Sequence, residues 1–401
     1  MTSTAATREL LRLRLAAQSL AHTAHPSRPA HPSRPAHPSR PAHPSRPAHP
    51  SRPAHPSPSI AEVVHRMLAV QAQDFGQGVW ALGVRSAGST RADVAAALDA
   101  GEVVRSWPMR GTLHFTTPAD LRWMLSLTAE RTITGAAARH RQLQLDQDAF
   151  ARATAVARAE LSGGVLTREE FFAHLAAAGL ATEGQRGVHL IWWLAHRGVV
   201  CWGPTRGTQQ GLVLLDEWAP AATTPPTRAE AMHEFVVRYL AGHGPATLRD
   251  FTWWSKAPVS EARAALALAR DRDEVEELVV DGTSYWLAAG AADAAGASRP
   301  LDGVLALPGF DEYLLGYQDR SHILPAEFAQ RVVPGNNGMF LAMIVSRGVI
   351  VGTWRRSFTA TAVRATIEPF VALSAGERSK LERAIRGYGR FAGLPVRMAS
   401  S

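Results

Sequence analysis

Two glutamines, Gln71 and Gln73, stand one residue apart in AVQAQD, residues 69–74, where the apolar pattern calls for core. Ile60, Val63, Val64, Met67 and Leu68 fall on one helical face, and Gln71 would take the next core position. On a continued helix the two side chains would point about 200° apart. If the helix unwinds near Val70, with Gly76 and Gly78 beyond, both project from one side of an extended segment. Two amides about 7 Å apart along the backbone can then hold one water or one ligand between them. The same pair also suits structural amides that satisfy loop backbone. Glutamine does not ionise near neutrality, so neither residue can be a general base. Asp74 is the nearest carboxylate, available to assist or to cap a helix.

Other residues could bind rather than react. Arg110, Thr112 and His114 share one face if 110–114 is a strand, and a cation, a hydroxyl and an imidazole can grip phosphate. Thr112 alternatively packs. Trp354, Arg355 and Arg356 read either as nucleic-acid contacts or as a core tryptophan with two solvated arginines. Arg186, His189, Arg197, Arg249 and Lys256 are groove contacts or solvated surface charge. Trp192, Trp193, Trp253 and Trp254 read as core rather than stacking platforms. Asp311 and Glu312 are adjacent, and neighbours on a strand face opposite ways. A joint acid–base role is therefore not expected, and Asp311 reads as a buried ion-pair or turn residue.

These residues need elements to position them. SIAEVVHRMLAV opens with Ser59 and Glu62 at capping-box spacing, and TRADVAAALDAGEVV is a second helix capped by Thr90. Extended chain follows in VVRSWPMRGTLHFTT, and a helix starts at Thr117-Pro118. The order helix, helix, strand pair is that of a winged helix. It returns in 151–222, with a hairpin around Gly207, and in 223–299, with a hairpin turning at Asp281-Gly282. The last stretch, 300–401, reads as strands in LDGVLALPGFDEYLLGY, then strands with tight turns at Asn337-Gly338 and Arg347-Gly348, then a helix capped by Ser374. The divisions are an N-terminal helix in 1–21, an insertion at 22–58, units at 59–150, 151–222 and 223–299, and a C-terminal antiparallel β-region with a terminal helix.

The insertion holds five tandem copies of HPSRPA at residues 25–54, too poor in large apolar residues to fold, and expected to be disordered. Its five arginines account for most of the net charge of +8, leaving +3 outside the copies. A modest total does not demand nucleic acid, although a local basic channel can sit within it. The single cysteine, Cys201, excludes a disulfide framework and a cysteine-based zinc site, and no metal or cofactor is expected. No signal-peptide pattern and no run of about 18 apolar residues is present, so a cytoplasmic protein is expected.

Five stretches in order, LRLRLAAQSL, VVHRMLAVQAQD, VRSWPMRGTLHFTTPADL, LPGFDEYLLGYQDR and GVIVGTWRR, resemble the winged-helix AlkZ-type DNA glycosylase family. The resemblance covers essentially the whole chain outside the insertion. It implies an α+β fold whose tandem winged-helix units form a concave DNA-binding channel. It also implies excision of alkylated, cationic purines, or unhooking of interstrand crosslinks, in DNA repair or genotoxin self-resistance. The family's Gln-x-Gln pair carries catalysis, which falls here on Gln71 and Gln73. Related members carry Asp at the second position, and this chain has Gln73. The implied partner is duplex DNA carrying such lesions, bound by a monomer without a membrane. VVPGNNGMF is the expected groove-probing hairpin. The competing reading is a winged-helix transcriptional regulator without catalysis, and a weaker one is a catalytically silent damage sensor.

Overall fold

The structure, a computed structural model, describes residues 4–21, 57–207, 209–219, 225–296 and 301–399. The hexapeptide copies, with the disorder expected of them, lie outside those residues. Helix α1 (Ala5–Ala17) is followed in the described chain by α2 (Ile60–Met67). The expected box starts α2: Ser59 Oγ accepts from the Glu62 N–H (3.2 Å), and Glu62 accepts from the Ser59 N–H (2.6 Å). The helix stops at Leu68, whose φ of 63° is rare for a bulky side chain. Thr116 Oγ1 holds that corner by donating to the Leu68 carbonyl (3.0 Å).

The turn sends the chain into a two-residue strand, β1 (Val70–Gln71), followed by α3 (Phe75–Arg85) and α4 (Arg91–Asp99). Thr90 and Asp93 form the box that starts α4. Strands β2 (Val104–Met109) and β3 (Thr112–Thr116) turn on Arg110 and Gly111, with φ of 58° and 70°. Two successive positive φ values are the signature of a tight hairpin turn. Helix α5 (Pro118–Gly135) carries proline in its first turn, and α6 (Ala137–Gln142) follows.

Helices α7 (Gln147–Glu160), α8 (Arg168–Ala177) and α9 (Arg186–His196) precede the hairpin of β4 (Val200–Arg206) and β5 (Gln209–Leu214), which runs into α10 (Leu215–Trp218). Helices α11 (Arg228–His243), α12 (Leu248–Ser255) and α13 (Val259–Asp271) precede β6 (Val275–Val280), β7 (Thr283–Ala288) and α14 (Ala291–Gly296). The β6–β7 hairpin turns at Asp281-Gly282, again with two positive φ values. The C-terminal part comprises β8 (Val304–Leu307), α15 (Glu312–Leu315), α16 (Ala329–Val332), β9 (Met343–Ser346), β10 (Val349–Phe358), β11 (Val363–Pro369), α17 (Ala375–Ala392) and β12 (Val396–Met398).

The hairpins β2–β3 and β4–β5 join in one sheet with order β1-β3-β2-β4-β5. A second sheet has order β12-β11-β10-β9-β8, antiparallel except for the parallel β11–β12 pair, and β6–β7 stands by itself. The largest core runs from α1 through α2, α3 and α11 to the C-terminal sheet, and a smaller one lies among α7, α8, α9 and β4–β5. No helix among the described residues is long and apolar enough to cross a membrane.

Two expected strand regions differ. LDGVLALPGFDEYLLGY holds strand only at β8, because Asp311 accepts from the Tyr313 N–H (2.8 Å) and so caps a helical turn. VVPGNNGMF is not a hairpin and cannot be the groove-probing one. Pro334 opens a 3-10 turn over Pro334–Asn336, and proline lacks the N–H a strand ladder needs.

Candidate active site

The break in the helical pattern at residues 69–74 is an edge strand. Val70 pairs with Phe115 and Gln71 with His114, both antiparallel on β3. Ala72 donates its N–H to the Leu113 carbonyl (2.8 Å) and is fully buried, while Gln71 is half-buried and Gln73 exposed. Core burial at Ala72 therefore turns both flanking amides away from the core. Gly78 lets α3 close under this loop: a Cβ there would lie 2.9 Å from Ala72 Cβ and 3.0 Å from the Phe115 ring. Asp74 is the N-cap of α3, accepting from the Gln77 N–H (3.0 Å).

Both amides are held from the β2–β3 hairpin. Gln71 Oε1 accepts from Arg110 (3.3 Å), and Gln73 Oε1 accepts from the Leu113 N–H (3.0 Å). Guanidinium and backbone N–H groups only donate, so each amide must present its oxygen to the hairpin. Each oxygen keeps one lone pair, and each NH2 group points away. Arg110 also meets His114 Nε2 (2.8 Å), while His114 Nδ1 meets the Thr112 carbonyl (2.8 Å). A carbonyl only accepts, so the proton sits on Nδ1 and Nε2 accepts from Arg110. Burial first, then the Arg110 charge, pushes the His114 pKa down to about 3, leaving a neutral imidazole.

Beneath this group lies Glu312, fully buried. One carboxylate oxygen accepts from the Gln71 backbone N–H (3.1 Å) and the other from the Trp254 indole (2.8 Å). Arg110 stands 3.7 Å away and His243 3.5 Å away. Burial alone would raise the carboxyl pKa, but His243 and Arg110 more than offset it and hold it at about 2. An ionised carboxylate thus anchors the backbone of Gln71 and balances the cation that orients its side chain.

From the other side, Arg105 of β2 staples the loop. Its Nε donates to the Ala72 carbonyl (2.8 Å) and a terminal nitrogen to the Gln73 carbonyl (3.2 Å). The other terminal nitrogen donates to Gln210 Oε1 (2.7 Å). Burial lowers the Arg105 pKa to about 10, against the pull of Asp74, so the side chain stays cationic at neutral pH.

Several residues expected to face nucleic acid do not. Trp354 is core, 1% exposed, and its indole donates to the Leu307 carbonyl (2.8 Å). His114 is completely buried and neutral, and Thr112 Oγ1 is itself buried, so the expected phosphate grip by Arg110, Thr112 and His114 becomes an internal support. Arg356 donates to the Gly76 carbonyl (3.3 Å) and Gln77 Oε1 (2.9 Å), pinning the start of α3. Arg186 donates to the Leu143 and Ala181 carbonyls, and His189 packs against His140 and Trp192. Arg355 is exposed, 3.8 Å from Glu368. Arg197 pairs with Glu130 (2.9 Å) and Lys256 lies over the Trp253 ring.

Glu312 and Arg105 are the residues that sequence reasoning missed. Each has one signal, a charge inside an otherwise buried run: VVRSWPM for Arg105 and GFDEYLL for Glu312. Reading the second run as strand separated Glu312 from its neighbours and hid it. Among the described residues no group of three or more His, Cys, Asp or Glu side chains could hold a metal.

A family model described as DNA glycosylase AlkZ-like matches residues 64–391. The interstrand DNA cross-link repair glycosylase of Streptomyces sahachiroi is 28% identical over 304 residues, covering 74% of this chain and 82% of that protein. The solved structure of Streptomyces sahachiroi DNA glycosylase AlkZ superposes with a TM-score of 0.75 at 24% identity, covering 100% of both chains. That likeness shows the same mixed α+β fold, with antiparallel sheets and a terminal helix.

Proposed function

The chain belongs to the AlkZ-like DNA glycosylase family, and from that premise we propose that Gln71 and Gln73 are its catalytic pair, acting on cationic alkylated purines. The observation that carries this is the holding of two adjacent amides, oxygens towards one hairpin, on a loop fixed by Glu312 below and Arg105 beside. Such rigidity suits placing a water and would be wasted on a solvated loop.

An N7- or N3-alkylated purine already carries positive charge and leaves readily. Water held by the free lone pairs of the two amide oxygens attacks C1′. The C1′–N9 bond breaks, its electron pair neutralises the purine, and the attacking water loses its extra proton to solvent. The same oxygen dipoles stabilise the oxocarbenium character that develops at the sugar. No step needs an ionisable base, which matches residues that cannot be one. Neutral bases, which need acid or base help to leave, are then poor substrates.

The helix–helix–hairpin units act as tandem winged helices whose concave side receives duplex DNA, bound by a monomer. The relative's name, an interstrand cross-link repair glycosylase, extends the proposed substrates to crosslinked purines. The test is release of free base from duplex containing N7-methylguanine. Wild-type protein is expected to release it, and Gln71→Ala or Gln73→Ala to slow release on the order of 10²-fold while duplex binding persists. No release, with tight binding to one unmodified sequence, would favour the regulator reading and sink this one. Release by Gln73→Ala at the wild-type rate would move the site elsewhere.

A further inference from the structure

Beside Gln73 a cavity of about 510 Å³ opens between the β2–β3 hairpin, the β4–β5 hairpin and α9. Its volume falls within the ~300–1,000 Å³ of small-molecule sites. Phe75, Trp107 and Trp202 give aromatic walls, and Leu113, Val188 and Ile191 aliphatic ones. Gln73 borders it and Gln71 does not. The cavity therefore runs off one side of the amide pair, away from the sugar carbon between them.

Two lining residues carry buried hydrogen-bond donors with no partner, Nε1 of Trp202 and Nε2 of Gln210. Orphaned buried donors are rare in folded proteins. An indole N–H and an amide NH2 can only donate, so what complements them is an acceptor. Gln210 also ties the cavity to the loop, since its oxygen accepts from the same Arg105 that holds the Ala72 and Gln73 carbonyls.

Resting on the reading of Gln71 and Gln73 above, we propose that this cavity receives the substituent carried by the alkylated purine: a flat aromatic group bearing carbonyl or ether oxygens. Its ring lies between the tryptophans and its oxygens accept from Trp202 and Gln210. Seating there aligns the lesion with the amide pair through Arg105, so lesions with such substituents are excised faster than methylated ones.

Single-turnover release from duplexes carrying N7-methylguanine, N7-benzylguanine or N7-(2-oxo-2-phenylethyl)guanine tests this, with spontaneous loss subtracted. Val188, 45% exposed at the cavity wall, can be enlarged at no core cost, and Val188→Trp fills the space. Release of both aromatic adducts relative to the methyl adduct is expected to fall at least ~10-fold in that variant. Trp202→Phe keeps the ring and deletes the N–H. It is expected to lower the ketone-bearing adduct relative to the benzyl adduct by roughly 3- to 10-fold. Unchanged ratios in both variants overturn the proposal while leaving the glycosylase reading intact. An equal fall for all three lesions puts the base itself in the cavity and also overturns it. A wild-type protein that releases none of the three overturns the glycosylase reading, and this proposal with it.

Discussion

Glu312 does more for the site than its distance from solvent implies. It accepts from the Gln71 backbone and balances Arg110, which in turn orients the Gln71 side chain. Glu312→Gln keeps an acceptor for the Gln71 N–H but leaves Arg110 buried without a counter-charge. Unfolding free energy measured in urea is expected to drop by about 3–5 kcal/mol. Base release should fall through kcat, with KM little changed. A variant of wild-type stability and kcat would remove Glu312 from the site. The neutral state of His114 gives a second prediction. Its pKa is pushed down to about 3, against 6.5 for the free side chain. Between those values the unfolded chain binds a proton that the native imidazole refuses, so stability falls as pH drops below 6.5. Glu312, held at about 2 against 4.5, adds to the fall below pH 4.5, and His196, pushed to about 4, contributes as well. Urea midpoints from pH 7 to pH 4 should decline throughout. The decline above pH 4.5 should be shallower in His114→Asn, and a slope identical to wild type would contradict a neutral buried His114.

At the scale of elements, the site exists because α2 stops early and α3 starts close behind it. Ser59, Thr90, Thr117 and Ser374 were legible as helix starts because capping is a local contact between residues three apart. Hairpin turns at Arg110-Gly111, Asp281-Gly282 and Arg347-Gly348 were legible for the same reason, a backbone conformation that glycine tolerates. The packing of α3 under the glutamine loop was not legible, since it depends on an approach between Gly78 and Ala72. Gly78→Ala should therefore act on chemistry more than on folding. The new methyl cannot move Ala72, already buried, without shifting the amides on either side. Base release is expected to fall about 10- to 100-fold, consistent with a displacement of under an ångström, while the circular dichroism spectrum stays native. Wild-type turnover in this variant would show that the loop position is not critical.

Across the whole molecule, the site is assembled from segments far apart in sequence. Gln71 and Arg105 come from the first third, Trp254 from α12, and Glu312 from the C-terminal part. Arg85 and Asp311 lock that assembly. Both are completely buried, joined by two hydrogen bonds of 2.8 Å, and Arg85 also donates to Gln18 at the end of α1. Gln18 in turn donates to Tyr317 and to the Glu312 carbonyl. Asp311→Asn leaves Arg85 as an uncompensated buried charge and is expected to cost about 3–5 kcal/mol. Activity and α1 docking should be lost together, read as amide hydrogen exchange rising in residues 5–17. Loss of stability with α1 still protected would break the proposed link between the lock and the N-terminal helix.

The sequence by itself determined the helix starts, the hairpins, the end of the helix before Gln71 and the kind of chemistry open to two amides. All of these follow from contacts within a few residues or from what a side chain can ionise. It read Asp311 as a buried ion-pair residue, and Arg85 is the partner. Only the tertiary structure decided that Glu312 underlies Gln71, that Arg105 holds the loop, and that His114 and Trp354 face inward. Hydrophobic periodicity reports which face of an element is covered, not which distant residue covers it. A charge inside an apolar run has no meaning until its partner, 200 or more positions away, is brought beside it.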